Sequence, residues 1–192
     1  MARSIGVVSG DTVALQRYSA SGELLGDVVT VAGDELYVGE EFGIRAVVAP
    51  PHQKKLLVGT TGSNIVFASP DSLTIRFARP DGTVQLSRQA AVSVRSISGE
   101  EIQRHVEEQI ARHRGITDAR ERLETLLAEI PGSRTAAYLS QLLVDTRGNV
   151  WLGEYRGAGY PARRWLVLDS AGEFRGSVIA PPDYTLVDID DE

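Results

Sequence analysis

The chain is notable first for the residue types it lacks. Its 192 residues include no cysteine, and the only lysines are Lys54 and Lys55. The absence of cysteine excludes disulfides, thiolate metal ligands and a cysteine nucleophile. No apolar run approaches the length of a membrane-spanning helix, and the apolar stretch Ile5–Val8 is too short for a signal peptide. The compartment stays open, because many exported proteins also contain no cysteine.

The balance of charge limits the classes of partner. The formal net charge is −6, which argues against a general nucleic-acid binder, since such proteins gain affinity by neutralising phosphates. Hydrophobic residues make up 42% of the chain, an ordinary fraction for a globular protein. The length would ordinarily correspond to one domain with a core of its own.

A turn motif built around glycine recurs four times. The glycines are Gly22, Gly82, Gly148 and Gly172, and the residues three positions before them are Ser19, Arg79, Asp145 and Asp169. Type I turns favour Asp or Ser at the first position, where the side chain can accept hydrogen bonds from backbone N–H groups of the turn. A following glycine supplies the left-handed residue of a hairpin bulge. The motif therefore predicts four antiparallel hairpins.

The segments that flank these turns have strand character, with alternating apolar residues in β-branched and aromatic company. One set of four strands is predicted at roughly 56–60, 64–69, 73–77 and 83–87, and another at roughly 139–144, 149–155, 164–168 and 174–179. The opening segment offers strands near 5–8, 12–18 and 24–31, one fewer than the other sets. Recurring four-stranded units of about 40 residues are typical of propeller blades.

Two stretches carry a resemblance to a known family. "LLVDTRGNVWLGEY" (Leu142–Tyr155) and "RRWLVLDSAGEFRGSVIAPPDYTLVDI" (Arg163–Ile189) resemble the last blades of bacterial six-bladed β-propeller proteins of the NHL/TolB-like kind. "QRYSASGELLGDVVTVAGDELYV" and "IRFARPDGTVQLS" are similar to outer hairpins of the same family. The resemblance implies a mainly β chain, an antiparallel β-propeller fragment of about three four-stranded blades.

The resemblance also implies boundaries and a wider context. The blades are expected at about 5–33, 56–88 and 139–180 within a single partial propeller domain of residues 1–192. Six blades need about twice this length, so the chain is expected to be the C-terminal half of a longer protein, with Thr185–Ile189 as the first strand of a further blade. Full-length members of the family are expected outside the cytoplasm.

Between the second and third predicted blades, the apolar period changes to that of helices. The apolar positions are Ile102, Val106 and Ile110, followed by Leu123 and Leu127. Ser98 and Glu101 form the capping-box pattern, and Gly115 suits a helix C-terminus. The pattern predicts a helical hairpin at about 98–130 with its apolar face buried. In a propeller, the resemblance implies that this insertion lies on the face that holds the channel mouth.

The segment "EYRGAGYPARRW" (Glu154–Trp165) contains the candidate binding residues. They are Tyr155, Arg156, Tyr160, Arg163 and Arg164. The segment links the two hairpins of the third blade, and loops on a rigid scaffold concentrate binding residues. Aromatic and arginine side chains suit a sugar face, a carboxylate or a partner protein. The alternative is that the arginines pair with acidic residues of the helical insertion.

Other patterns point to ordinary structure. His105 and His113 are about 12 Å apart along a helix, too far to share one metal ion, and are interpreted as solvated. "GTTGSN" (Gly59–Asn64) does not end as a phosphate loop does and is interpreted as a turn. Asp145 and Asn149 supply too few oxygens for calcium. No nucleophile elbow is present, so no catalytic residue, metal site or cofactor is predicted.

Together these features favour a non-enzymatic binding or scaffolding propeller module. Its ligand, whether a small molecule, a glycan or a protein, is expected on the face that carries the helical insertion. The alternative is a lactonase-like, metal-dependent propeller hydrolase whose catalytic residues lie on blades absent from this chain. Apolar sheet faces left bare at both ends of the fragment are expected to promote self-association.

Overall fold

The architecture is that of a mainly β chain, as the sequence predicts. The computed structural model describes residues 7–41, 44–48, 53–68, 74–89, 96–112, 139–156, 162–181 and 184–190. These residues form eleven strands in three antiparallel sheets and one helix. In each sheet, strands that are consecutive in sequence are neighbours in space.

The two four-stranded sheets follow the predicted strands closely. The second sheet contains β4 (Leu57–Thr61), β5 (Asn64–Ala68), β6 (Thr74–Ala78) and β7 (Val84–Gln89). The third contains β8 (Leu139–Val144), β9 (Val150–Glu154), β10 (Arg164–Leu168) and β11 (Phe174–Ile179). "GTTGSN" is the β4–β5 turn, as predicted, with Gly62 at a φ of 57°.

The first sheet is longer than predicted. It contains β1 (Val7–Tyr18), β2 (Leu24–Glu41) and β3 (Ile44–Val48). The predicted break between residues 8 and 12 is instead a register shift between Gly10 and Thr12 inside one strand. A β-bulge absorbs an extra residue without ending a strand. The first unit therefore extends to Val48, well beyond the boundary predicted near residue 33.

All four glycine turns have the predicted geometry. The φ angles of Gly22, Gly82, Gly148 and Gly172 are 84°, 86°, 81° and 76°. The N–H of each glycine donates to the carbonyl three residues earlier, at 2.8–3.0 Å. The Ser19, Asp145 and Asp169 side chains accept backbone N–H groups of their own turns. Local sequence therefore determines where each hairpin reverses.

The three sheets stack face to face in chain order. One core cluster lies between the first and second sheets. It contains Val13, Leu15, Val29 and Val31 of the first sheet and Ile65, Phe67 and Ala78 of the second. Another cluster lies between the second and third sheets. It contains Val66, Ala68, Ile75 and Phe77 of the second sheet and Leu139, Val150, Leu152, Leu166 and Leu168 of the third. Successive residues of a strand point to opposite faces, so Val66 contacts the third sheet and Phe67 the first. The second sheet is thus buried on both faces.

The second and third sheets are stacked so that β4 and β8 run in the same direction, with their corresponding ends at the same level. The Thr61 hydroxyl, where β4 ends, donates to the Gly148 carbonyl in the turn after β8 at 2.9 Å. Leu57, where β4 begins, packs on the cluster that contains Leu139, where β8 begins. We call the end with the Gly62, Gly82, Gly148 and Gly172 turns the turn end. The opposite end, where β4, β8 and β10 begin, is the connection end.

The two outer sheets of the stack agree only in part with the expectation of a bare apolar face at each end. In the described part of the first sheet, the side chains Thr12, Ala14, Gln16, Thr30 and Ala32 are exposed and are polar or small. Near the Gly22 turn, however, the same sheet exposes Tyr18, Leu24 and Leu25, which are 55%, 51% and 49% accessible. In the third sheet, edge strand β11 does expose Phe174 and Ile179, each 63% accessible. Residues 184–190 form no strand, so the strand predicted at Thr185–Ile189 is not formed.

The helix α1 (Gly99–Arg112) begins as predicted. Ser98 N–H donates to Glu101 Oε2 at 3.0 Å, and Glu101 N–H donates to Ser98 Oγ at 3.3 Å, which is a capping box. The orientation of the helix is not as predicted: Ile102 is exposed and His105 is buried, at 39% and 7% accessibility. The more buried described positions, Glu101, His105 and Glu108, share one face. Outside the described side chains lie Val106, Ile110, Arg112, His113, Gly115, Leu123 and Leu127.

Replacing Asp145 by asparagine is expected to lower the free energy of unfolding at neutral pH by about 1–2 kcal/mol. Asp145 Oδ2 accepts both the Asn149 amide and the Trp151 indole N–H, and asparagine has only one side-chain oxygen. Partial burial raises the pKa of Asp145, but these hydrogen bonds lower it more, so the pKa lies below 3.8.

Because the folded-state pKa is lowered, this stabilisation is present above pH 3.8 and is lost as the pH falls through the lowered value. Urea titrations at pH 7 and near pH 3 should show the difference between wild type and Asp145→Asn shrinking at low pH. Glu107→Gln, on the exposed side of α1, is the control. A difference that does not change with pH would contradict the role given to the Asp145 charge.

Candidate functional site

The segment Glu154–Trp165 joins the two hairpins of the third sheet, as predicted, and its two ends lie at the connection end. β9 ends at Glu154 and β10 begins at Arg164. The β9–β10 register pairs Gly153 with Trp165, which places Arg164 beside Glu154. Arg164 Nη1 donates to Glu154 Oε1 at 3.0 Å. This ion pair bridges the two strands where the connection leaves and re-enters the sheet.

The other predicted binding residues flank the same connection. Tyr155 is half-buried and Arg156 is exposed just after β9, and Arg163 is exposed just before β10. Tyr160 lies in the segment 157–161, outside the described residues. The predicted alternative, in which arginines pair with the helical insertion, does not hold for Arg164, because its cross-strand neighbour Glu154 supplies the carboxylate.

Beneath the connection lies a fully buried tryptophan. Trp165 has no accessible surface and Ala162 is 2% accessible. A Cβ atom at Gly153 would lie 2.6 Å from Ala162 Cβ and 3.2 Å from Trp165 Cη2. The missing side chain of Gly153 therefore lets the indole ring and Ala162 pack directly on the β9 backbone. This packing anchors the chain immediately before Arg163 and Arg164.

Two buried polar atoms in this region have no hydrogen-bond partner within the described part of the chain. They are the Trp165 Nε1–H donor and the Gln141 Oε1 acceptor. Gln141 and Trp165 both pair with Gly153, one from each neighbouring strand, so they flank it on one face of the sheet. Buried polar groups are nearly always paired. Their position beneath the arginine-bearing connection marks this region as unusual for a purely structural sheet.

The stacking brings two further basic residues to the connection end. Lys54, half-buried, and Lys55, exposed, precede β4. Within the described residues, no carboxylate lies within 4 Å of either lysine or of Arg163. The carboxylates of Asp34 and Glu154 at this end are engaged, Asp34 by the Leu56 N–H at 3.0 Å and Glu154 by Arg164. Lys54, Lys55 and Arg163 therefore have no ion-pair partner among the described residues, although the charge of the Asp34 carboxylate, which a backbone N–H does not neutralise, lies close to the lysines.

The turn end offers a different chemistry. Its aspartates are engaged within their own hairpins: the backbone N–H of Glu173 and the Arg175 guanidinium hold the pKa of Asp169 below 3.8. The Thr83 N–H does the same for Asp81. In the described ranges, no three His, Cys, Asp or Glu side chains are grouped as a metal site would require. The described helix is too short and too polar to cross a membrane.

Sequence inspection found the arginine connection but not the lysines or the buried pair. The aromatic and arginine content of Glu154–Trp165 was a sufficient local signal. Lys54 and Lys55 join the site only because β4 and β8 run in the same direction in adjacent sheets. The burial of Trp165 depends on the cross-strand position of Gly153, which only a correct strand register could have predicted.

Comparison of the chain with known protein families, curated proteins and solved structures finds no significant match. The resemblance to bacterial NHL/TolB-like propellers therefore stays a prediction.

Proposed function

We propose that the chain is a non-enzymatic binding module, part of a β-propeller, whose ligand contacts the connection end. The observation that carries the proposal is the gathering of Lys54, Lys55 and Arg163, without described counter-ions, beside the half-buried Tyr155. Charged side chains without ion-pair partners, held on a rigid scaffold, are typical of recognition surfaces.

The stacking of the sheets supports the part of the proposal that assigns the chain to a β-propeller. Four-stranded meanders packed face to face in chain order, with the middle sheet buried on both faces, are what neighbouring propeller blades look like. In such a stack, the hairpin turns and the longer connections lie at opposite ends. The longer connections can vary without disturbing the core, which favours the connection end as the binding end.

The connection end can be tested by mapping ligand-induced changes in amide NMR spectra. Suitable probes are a glutamate octapeptide, cellotriose and inorganic phosphate, added separately to isotope-labelled protein. We expect at least one probe to shift the amides of Lys55, Tyr155 and Arg163 while those of Gly82 and Gly148 at the turn end stay unchanged. Shifts confined to the turn end would contradict the proposal, as would turnover of the lactone dihydrocoumarin with calcium present.

The exposed edge of the third sheet leads us to propose self-association as well. Phe174, Val178 and Ile179 on β11 are 63%, 44% and 63% accessible, and exposed apolar edge strands promote association. Light scattering on the wild type should therefore show oligomers. Phe174→Glu combined with Ile179→Lys should shift the population towards monomer, whereas Thr30→Glu on the exposed face of the first sheet should not. A wild-type monomer at high concentration would refute this proposal.

A further inference from the structure

We infer that β11 is a dimerisation strand, which pairs edge to edge with β11 of a second copy about a two-fold axis at Ser177. This inference rests on the proposed self-association and adds the partner and the register of the contact. β11 forms one edge of the third sheet, and within the described ranges no strand pairs with its outer side. Its residues Phe174, Ser177 and Ile179 are exposed, so this edge is open to another strand.

The hydrogen bonds between β10 and β11 fix which backbone groups of β11 face outward. The N–H of Ala180 donates to the Arg163 carbonyl at 2.7 Å. In an antiparallel pair, the backbone groups of successive residues alternate between the partner strand and the free side. The backbone groups of Gly176 and Val178 therefore point to β10, whereas those of Ser177, between them, point outward. With the axis at Ser177, the two copies exchange both backbone hydrogen bonds at this residue.

Other positions of the axis do not fit the strand. An axis at Gly176 or Val178 would bring together backbone groups that already point to β10. An axis at Ile179 would place Ser177 opposite Pro181, which has no N–H to donate. An axis in the bulge that precedes Gly176 would fall where strand pairing is interrupted. The register centred on Ser177 is therefore the one that the edge supports.

The same register brings exposed apolar side chains of the two copies together. Phe174 lies opposite Leu168, and Ile179 lies opposite Arg164. Because Leu168 and Arg164 are four residues apart on β10, Phe174 and Ile179 are on one face of the sheet. When the bulge is counted as one position, Ile179 of each copy lies opposite Phe174 of the other. Two side chains that are each 63% accessible thus cover each other, as cross-strand pairs do.

These features favour a second copy over an unrelated strand. A two-fold contact requires a surface that complements itself, and β11 does so in its backbone groups and in its apolar side chains. The only charged residue of the strand, Arg175, is held by Asp169 of the same hairpin at 2.6 Å, so no unpaired like charges meet.

The size of the contact sets its strength. The six-residue strand is about 20 Å long and a sheet is about 10 Å thick, so the contact covers about 200 Å² on each copy. A standard interface covers roughly 800 Å² on each partner. The dimer is therefore weak, and its population rises with protein concentration.

The absence of cysteine permits a direct test by disulfide trapping with glutathione disulfide as the oxidant. Hydrogen-bonded residues across antiparallel strands have Cα atoms about 5.5 Å apart, which is within the range of about 4.4–6.8 Å that a disulfide spans. Ser177→Cys should therefore form a covalent dimer. Ser170→Cys is the control, because Ser170 is also exposed but lies in the turn before β11, away from the axis. We expect trapping at least about tenfold faster for Ser177→Cys, because thiols held together have a higher effective concentration than freely colliding ones.

A proline variant tests the backbone contact without a covalent bond. Ser177→Pro removes an outward N–H and leaves the hydrogen bonds to β10 in place. It should shift the mass measured by light scattering in concentrated solution to that of the monomer, whereas Ser177→Ala should behave as the wild type does. Circular dichroism checks that both variants keep the fold.

Several results would overturn the inference. Equal trapping rates for Ser177→Cys and Ser170→Cys would contradict the register. If Ser177→Pro leaves the oligomer intact while Phe174→Glu/Ile179→Lys disperses it, the apolar side chains associate without strand pairing. In that case the inference fails and the proposed self-association stands. If the wild type stays monomeric at every concentration, the proposed self-association fails as well.

Discussion

Replacing Gly82 by alanine is expected to lower the free energy of unfolding by about 2–5 kcal/mol. A φ of +86° costs an L-residue about 1–2 kcal/mol. In addition, a Cβ at this position would overlap the backbone carbonyl oxygen of Val28 in the first sheet. A backbone atom cannot move aside as a flexible side chain can, and overpacking of this kind costs about 1–3 kcal/mol. Urea denaturation followed by circular dichroism measures the loss.

Gly22 provides a matched control for Gly82. It occupies the same position in the same type of turn, at a φ of +84°, but nothing lies within 4 Å of its ideal Cβ position. Gly22→Ala should therefore show only the backbone strain, about 1–2 kcal/mol. The difference between the two variants reports how closely the first sheet packs on the second. Equal losses would contradict that packing.

The turns could be predicted because their chemistry is local. Asp145 and Gly148 belong to one hairpin, and the hydrogen bonds that fix it involve residues only a few positions apart. The extent of the first sheet could not be predicted in this way. Gly10 and Asp11 look like a turn in sequence, but pairing of β1 with the long strand β2 carries the chain through them with a register shift.

In the helix, the spacing of apolar residues predicts the element but not which of its faces is buried. The spacing of apolar residues and the Ser98–Glu101 box correctly predicted a helix and its first turn. They could not predict which face is covered, because that depends on neighbouring segments far away in sequence. His105 is consequently buried and Ile102 exposed, the reverse of what an apolar stripe facing the core would give.

Only part of the candidate site could be predicted from the sequence, because the rest of it depends on contacts between segments far apart in the chain. Tyr155, Arg156, Arg163 and Arg164 stand close together in sequence, so their composition was informative. The lysines before β4 are about a hundred positions earlier in the chain and reach the same end only through the stacking of two sheets. Buried contacts between sheets, such as those of Leu57 with the third-sheet cluster, therefore determine the charge of the site as much as the residues in the connection do.

Replacing Trp165 by alanine is expected to cost about 3–5 kcal/mol of stability, the range for removing a fully buried large aromatic side chain. Trp165 has no accessible surface, and its ring lies on Gly153 and Ala162 directly beneath the connection. Without the ring, Ala162 loses its packing partner and Arg163 loses the anchor that fixes its backbone. The loss can be followed by urea denaturation with the fluorescence of Trp151, which the substitution leaves in place.

Two further variants separate the role of the ring from general effects of truncation. Trp165→Phe keeps most of the apolar volume and removes an indole N–H that has no described acceptor, so it should cost much less than Trp165→Ala. Phe174→Ala removes an aromatic ring that is 63% exposed and should cost less than about 1 kcal/mol. If Trp165→Ala were as mild as Phe174→Ala, the indole could not be the support of the connection. In that case the arginines would have to be held by Glu154 alone.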